Sequence, residues 1–425
     1  MLTSKLALNG GSPVIKVKFP RYNSIGKEEL IAATAVIESG VLSKFIGAWN
    51  SDFYGGSKVQ EFERNCEQYF NVRNAVTVNS WTSGLICAVG ALEIEPGDEI
   101  IVSPWTMSAT ATSILHWNAI PVFADIEDIT YGLDPVSIEK NITQYTKAII
   151  SVDIFGHSAK MTEICKIAKK YNLKVISDCA QSPGAIYNNS FAGTLGDIGG
   201  FSLNYHKHIH TGEGGILVTN NDEYAERMRL IRNHAEAVVG DMPNNRLINM
   251  LGYNFRMGEI EAAIGIEQLK KLNSFLKSRQ SAAKYLTEKL SIIPGLKLPY
   301  VEKNCTHAYY AYPMQIDCKI LGVTRDKLHS ALVAEGLNIS NRYQNIHLLP
   351  LFQNKIAYGS KGFPWNSEFT KREVSYQKGI CPTAEYLQDN SFMSIGMCFT
   401  EMSKSEIDLI AECFYKVWAN LDDLR

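Results

Sequence analysis

A chain of 425 residues, 45% hydrophobic and 20% charged, has the make-up of an ordinary soluble globular protein with room for two or three domains. Its formal net charge of -2 excludes a broad basic surface for nucleic acid or a polybasic tail for a membrane. The opening MLTSKLALNGGSPVIK lacks a secretory signal's apolar run, no stretch approaches the ~18 apolar residues of a membrane span, and nine cysteines without a C-x-x-C pair predict free thiols in a reducing cytoplasm.

Residues 75–78 (AVTV) form the first strand candidate. The small polar cluster Asn79-Ser80-Trp81-Thr82-Ser83 after it can cap an apolar helix over 84–92. The turn Pro96-Gly97-Asp98 leads into a second apolar run at 99–103 (EIIVS). A third follows at 120–124 (IPVFA) and a fourth at 148–152 (AIISV). Ile164, Ile167 and Ala168 stand at helical spacing, which predicts a helix over 161–171 before a strand at 174–177. Residues 201–204 and 215–219 are strand-like and flank the motif NYHKHIHTGEGG. Continuous apolar strands between helices predict an α/β fold with a mostly parallel sheet covered on both faces. Residues 222–290 are expected to be helical, with long charged faces. Near 290 the texture changes, as Pro294-Gly295 and Pro299 break the pattern. The expected division is a large domain over 1–288, with an N-terminal arm, and a smaller C-terminal α/β domain over 289–425.

In an open α/β sheet, ligands sit beyond the carboxyl ends of the strands. Asp178 ends one predicted strand, and the hydroxyls of 80–83 follow another. Trp105, Thr106 and Met107 follow a third, and Lys207 follows a fourth. A lysine, an aspartate, hydroxyls at a helix start and an aromatic ring on one crevice suit pyridoxal 5'-phosphate. The lysine forms a Schiff base with the aldehyde. The aspartate keeps the pyridine nitrogen protonated, so the ring can accept electrons. Hydroxyls and a helix N-terminus bind the phosphate dianion, and an apolar or aromatic side chain lies on the ring face.

These residues resemble the DegT/DnrJ/EryC1/StrS sugar aminotransferases, a family of fold-type I pyridoxal-phosphate enzymes. The resemblance covers nearly the whole chain. It runs in order through LNGGSPV, GGSKVQEFERNCEQYF, AVTVNSWTSGLICAVGALEIEPGDEIIVSPWTMSATA, PVFADI, DCAQSPGA, GDIGGFSLNYHKHIHTGEGGILVTN and LGYNFRMGEIEAA. The family pattern F-S-x-x-x-x-K-x-x-x-T-G-E-G-G implies that Lys207 is the Schiff-base lysine and Ser202 a phosphate ligand. It implies Asp178 as the pyridinium partner, Gln181 beside the ring's phenolic oxygen, and Thr82 in the phosphate cup. Asn254 falls on the residue that reaches the neighbouring subunit's phosphate, which implies a homodimer with shared sites. The cup commonly reads S-G-T, but here it is Ser80-Trp81-Thr82. The ring-covering position, usually aromatic, aligns with Met107, so either Met107, through its thioether, or Trp105 covers the ring. NRYQNIHLLPLF resembles the substrate-side stretch. Arg342, Tyr343 and His347, with Arg256 and His206, are the expected contacts to a sugar or a donor carboxylate.

The implied reaction moves an amino group from L-glutamate or L-glutamine to a keto or aldehyde sugar, in aminosugar biosynthesis for a surface polysaccharide or a secondary metabolite. A nucleotide-linked keto-deoxysugar is the expected acceptor, with an oxidised 3-deoxy-octulosonate or a keto-cyclitol as alternatives. No basic cluster for a diphosphate stands out, and Trp81 and the extended segment 359–379 point to a non-standard pocket. Other readings compete. Sugar 3-dehydratases related to the family carry histidine in place of the lysine. Counting five residues back from Gly212 gives Lys207, so His208 takes that place only if the alignment slips by one. A non-catalytic pyridoxal-phosphate-binding regulator conflicts with the intact cofactor residues. A dinucleotide oxidoreductase needs G-x-G-x-x-G after an early strand, which is missing. His206, His208 and His210 would share a face in a strand, but no cysteine or carboxylate is spaced to complete a metal site. The 212–215 turn lacks the P-loop pattern, and Cys381 and Cys398 are expected to be buried structure.

Overall fold

The computed structural model describes residues 4–242, 248–398 and 402–425. The predicted apolar runs form the central sheet. Its strands are β1 (Asn74–Val78), β2 (Glu99–Val102), β3 (Ile120–Phe123), β4 (Thr146–Val152) and β5 (Lys174–Asp178). After a small hairpin of β6 (Ile186–Tyr187) and β7 (Ser190–Phe191) come β8 (Ile198–Ser202) and β9 (Gly215–Thr219). The order across the sheet is β1-β9-β8-β5-β4-β2-β3. β9 pairs antiparallel with β1 and β8, and every other neighbouring pair is parallel. All strands except β9 therefore point one way, and their carboxyl ends share one edge. Both faces are covered, which is why the strands carry apolar residues without alternation.

On one face lie α3 (Trp81–Ala91), α4 (Ser108–His116) and α6 (Met161–Tyr171), which bury Leu85, Ile114 and Ile164 against Ile101, Ile149 and Ile176. The other face takes α2 (Ser57–Phe70) and the long α9 (Glu259–Leu290), whose Phe62, Phe70, Leu269 and Leu272 cluster with Phe201, Ile216 and Val218. α1 (Lys27–Ser39) packs on α9, and α5 (Pro135–Asn141) is opened by an Asp134 cap with proline behind it. α6 matches its predicted span. α3 starts three residues before its expected first residue. The Ser80 hydroxyl accepts the Ser83 amide, so the cap sits at Ser80 and Trp81 becomes the first helical residue. The stretch expected to be helical over 222–290 is interrupted. α7 (Asp222–Arg232) and the short α8 (Ala235–Val238) are followed, before α9, by a segment in which Asn254 bridges to Asn233.

Beyond α9, β10 (Leu296–Lys297), β11 (Ala311–Ile316) and β12 (Phe392–Gly396) form an antiparallel sheet in that order. α10 (Cys318–Leu321) and α11 (Arg325–Ala334) follow β11. α12 (Pro350–Gln353) and α13 (Pro382–Tyr386) precede β12, and α14 (Lys404–Ala419) closes the chain. The hydrophobic cores cross residue 288 in both directions. Leu6, Ile15, Ala283 and Leu286 join the core of β11, α11 and α14, while Phe352, Trp365, Tyr376 and Phe392 join the core of the large sheet. The two ends of the chain meet there: Glu335 accepts the Ala7 and Val14 amides and pairs with Lys416, whose Nζ also reaches the Ser12 carbonyl. The segment 359–379, expected to shape the pocket, buttresses the sheet edge instead. Tyr376 donates its hydroxyl to the Pro121 carbonyl at 2.8 Å and Arg372 pairs with the buried Glu99, while Tyr358, just ahead of the segment, reaches the Leu115 carbonyl. No described helix is long and apolar enough to cross a membrane.

Candidate active site

The carboxyl ends of β1, β2, β4, β5 and β8 open onto a cavity of about 280 Å³. Its lining includes Ser80, Trp81 and Thr82 at the start of α3, Thr106, Met107 and Thr110 at the start of α4, Asp178 and Gln181 after β5, and Ser202, His206 and Lys207 after β8. Tyr310 and Tyr343 close it from the C-terminal part of the chain.

Lys207 is buried, and its ammonium lies 4.6 Å from the Tyr310 ring centroid. Burial pulls its amine down to about 8, against the opposing pull of the Asp178 charge. An amine tuned that way is neutral often enough near neutral pH to act as a nucleophile or a base. Asp178 is also buried. Desolvation pushes its carboxyl up, and hydrogen bonds from Thr110, Trp81 and the Ala180 amide pull it back toward the ionised form. Thr110 Oγ1 donates to Oδ2 at 2.7 Å, and the Trp81 indole Nε1 donates to Oδ1 at 2.7 Å.

The start of α3 provides an anion site by elementary bookkeeping. Ser80 Oγ takes the Ser83 amide and the Ser80 carbonyl takes the Gly84 amide, which leaves the Trp81 and Thr82 amides as first-turn donors. Ser202 Oγ accepts the Asn204 amide at 3.3 Å, so its own O–H is available to donate. This donor set, with a buried lysine and a buried aspartate across the cavity, fits a phosphate-bearing aldehyde with a basic ring nitrogen. The orphaned Asn204 Oδ1 adds an unused acceptor at the rim.

Several expected residues gather here: Trp81, Thr82, Met107, Asp178, Gln181, Ser202, His206, Lys207 and Tyr343 all line the cavity. Gln181 is fixed at both ends, accepting the Phe155 amide at 2.7 Å and donating to the Tyr343 hydroxyl at 3.2 Å. His206 Nδ1 meets the Tyr310 hydroxyl at 3.0 Å, and burial followed by the Lys207 charge lowers its pKa to about 4. Other expectations need correction. Trp105 is fully buried, packs among Tyr131, Phe155 and Phe392, and gives its indole N–H to Asn345 Oδ1 at 2.7 Å. It lies beneath the cavity, while Met107 stands 67% exposed at its rim. His347 is fully buried against Glu385 at 3.0 Å and does not line the cavity. Arg342 is exposed near Asp326, away from the cavity lining. Arg256 donates to Asn254 Oδ1 at 2.8 Å, and neither lines the cavity of its own chain.

The three motif histidines point to different partners. His206 takes Tyr310, His208 Nε2 meets the Ala308 carbonyl at 2.9 Å, and His210 Nδ1 accepts the Gly212 amide. His208 is fully buried and absent from the cavity lining, so Lys207 alone of the pair faces the chemistry. Thr110 and Tyr310 were not singled out from sequence. Thr110 sits in an unremarkable small-residue run, and Tyr310 arrives from a chain segment about a hundred positions away with no motif around it.

A family model for DegT/DnrJ/EryC1/StrS aminotransferases matches residues 36–383. The spore coat polysaccharide biosynthesis protein SpsC of Bacillus subtilis is 36% identical, covering 83% of this chain and 89% of its own. A GDP-perosamine synthase of Caulobacter vibrioides is 35% identical over 69% of this chain and 78% of its own. A Micromonospora echinospora protein, provisionally named L-glutamine:3-amino-2,3-dideoxy-scyllo-inosose aminotransferase, is 31% identical over 100% of this chain and 99% of its own. Among solved structures, an aminotransferase from Psychrobacter cryohalolentis superposes with a TM-score of 0.80 at 27% identity, over 95% of this chain and 100% of that one. Sheet order, cavity and comparisons agree, and the chain belongs to the DegT/DnrJ/EryC1/StrS aminotransferase family, whose members are pyridoxal-phosphate-dependent transaminases acting on keto-sugars.

Proposed function

We propose that this chain binds pyridoxal 5'-phosphate through Lys207 and transfers an amino group from L-glutamate or L-glutamine to a keto-sugar in the cytoplasm. The observation that carries the reading is the buried pair of Lys207 and Asp178 across one cavity, with the Lys207 amine pulled down to about 8. The Trp81 and Thr82 amides and the Ser202 hydroxyl would hold the phosphate, and Asp178 would hold the ring nitrogen. When bound, the cofactor supplies an electron sink for the carbanion formed at the donor's α-carbon. Lys207 Nζ would take the proton from that carbon as a base and, as an acid, deliver it to the cofactor's aldehyde carbon, so that the amino group stays with the cofactor. Gln181 is held rigidly between Phe155 and Tyr343, so it can position rather than react. Met107, 67% exposed at the rim of the cavity, would lie over the cofactor ring.

The first acceptor class is a nucleotide-linked keto-deoxysugar, supported by the likeness to a GDP-perosamine synthase. A keto-cyclitol is the second reading. The end-to-end match to an inosose aminotransferase supports it, as does a cavity lining in which, among the described residues, Lys207 is the one Lys or Arg side chain. We further infer a homodimer in which Asn254 and Arg256 serve the partner's cavity. α1 leaves Leu30, Ile31 and Ile37 more than half exposed, apolar surface of the kind an interface covers. The nine free cysteines accord with a reducing compartment.

The test is a two-stage assay with purified protein loaded with pyridoxal phosphate. L-glutamate or L-glutamine is added first, with absorption and the released keto acid followed. The aminated protein is then offered GDP- and UDP-linked keto-sugars and scyllo-inosose derivatives, with products read by mass spectrometry. Absence of both the spectral change and the keto acid would remove the transaminase reading for this chain. A product from one acceptor class alone decides between the two.

A further inference from the structure

The cup that commonly has glycine has Trp81, and the indole does not turn outward to solvent. It is 6% exposed, tucked under the first turn of α3 against the sheet. Two glycines make its space. A Cβ at Gly84, one turn along α3, would stand 2.7 Å from the Trp81 ring, and a Cβ at Gly200 on β8 would stand 2.3 Å from it. At the end of this slot, Nε1 meets Asp178 Oδ1 at 2.7 Å. A lone-pair count shows what that contact does. Oδ1 accepts from Trp81 Nε1 and from the Ala180 amide at 3.2 Å, so its two acceptor positions are filled. Oδ2 accepts from Thr110 Oγ1 and keeps one position open.

We propose that Trp81 is a positioning residue for Asp178: its indole N–H saturates Oδ1, so that Oδ2 becomes the single oxygen left to receive a ring N–H in the cavity. The inference rests on the pyridoxal-phosphate reading above. The large side chain in the cup serves the far end of the site, while its backbone amide stays at the phosphate end where it sits in sequence. Gly84 and Gly200 belong to the same device, since without them the indole has no slot. An N–H given to a carboxylate also favours its ionised form. Losing it makes Asp178 more basic, which draws the shared proton off the ring nitrogen. With the cofactor bound, that change at Asp178 would raise the pH at which the nitrogen joined to Lys207 gives up its proton.

The experiment compares wild type with Trp81→Phe, which keeps the bulk and drops the donor. Thr110→Val removes the Oδ2 donor and serves as a positive control. Apo-protein is titrated with pyridoxal phosphate by equilibrium dialysis, and the absorption of the loaded protein is followed against pH. Expected for Trp81→Phe are a loss of about tenfold in cofactor affinity, the scale of one hydrogen bond to a charged group, and a rise in the pH midpoint of the colour change, in the same direction as Thr110→Val. A structural role alone could weaken binding but would leave that midpoint in place. Trp81→Leu, which fills part of the slot and carries no donor, repeats the measurement if the phenylalanine variant does not fold. A midpoint that moves with Thr110→Val and not with Trp81 variants overturns the proposal. So does an unchanged affinity. If wild type itself binds no pyridoxal phosphate at Lys207, with Lys207→Ala as the blank, the functional reading fails and not this refinement of it.

Discussion

Lys207 should capture its cofactor with a pH dependence set by its burial. Its amine lies at about 8 where an ordinary lysine has 10.5. The neutral fraction then rises from about 9% at pH 7 to about 91% at pH 9, roughly tenfold and nearly complete. An ordinary lysine would go from about 0.03% to about 3% over the same interval, roughly a hundredfold and still climbing. Stopped-flow mixing of apo-protein with pyridoxal phosphate, followed by loss of the free aldehyde's absorption, measures this directly. Asp178 is the charge that holds the amine up, so Asp178→Asn should move the midpoint lower. The same shift bears on stability. A lysine whose pKa is lowered by folding binds fewer protons in the folded state than in the unfolded state between about pH 8 and 10.5, so its contribution to stability rises with pH through that window. Below it the penalty is fully present. Lys207→Met should therefore stabilise the apo-protein at neutral pH, by at most about 3 kcal/mol from a shift of this size. A capture rate still rising tenfold per pH unit beyond pH 9, or a melting temperature lowered by the methionine, would refute the assignment of Lys207 as a desolvated amine.

The glycine slot gives a sign reversal: Gly84→Ala in wild type should destabilise by about 1–3 kcal/mol through overpacking against the Trp81 ring. In a Trp81→Gly background the same change should stabilise by about 1 kcal/mol from helix propensity, as read by thermal or urea unfolding. Arg232, fully buried with Nη1 2.7 Å from Glu63 Oε1, should resist replacement. Arg232→Met leaves Glu63 buried without its partner and should cost about 3–5 kcal/mol in urea unfolding. His206, pulled down to about 4, should stay neutral throughout the working range. An NMR titration should show no His206 inflection near 6.5, and His206→Gln should alter turnover while leaving cofactor capture intact.

The sheet was legible because strands buried on both faces need apolar residues at every position, and runs such as EIIV and AIISV carry that signature. Residues that leave a strand end were only half legible. Asp178 and Lys207 reach the cavity as expected, but Trp105 follows β2 just as Met107 does, and the turn sends one under the cavity and the other to its rim. Sequence spacing does not encode that turn, because the Trp105 indole is held by Asn345, some 240 positions away. His347 failed for the same reason: only the fold puts Glu385 beside it. Trp81 was visible as a departure, yet its direction depended on Gly84 one turn away and on the distant Gly200, whose shared purpose appears only when β8 and α3 are in contact.

The meeting of the two chain ends at Glu335 sets an order on the protein's making. The core under β11 takes Leu6 and Ile15 from ahead of α1 and Phe414 and Val417 from α14, so it cannot close until α14 has been made. Tyr310 stands at the entrance to β11, and Tyr310 is one wall around Lys207. The large sheet itself waits for Phe352, Trp365, Tyr376 and Phe392 to complete its core, so the wall that Tyr310 gives the Lys207 cavity and the core behind the sheet are both late additions to the folding chain.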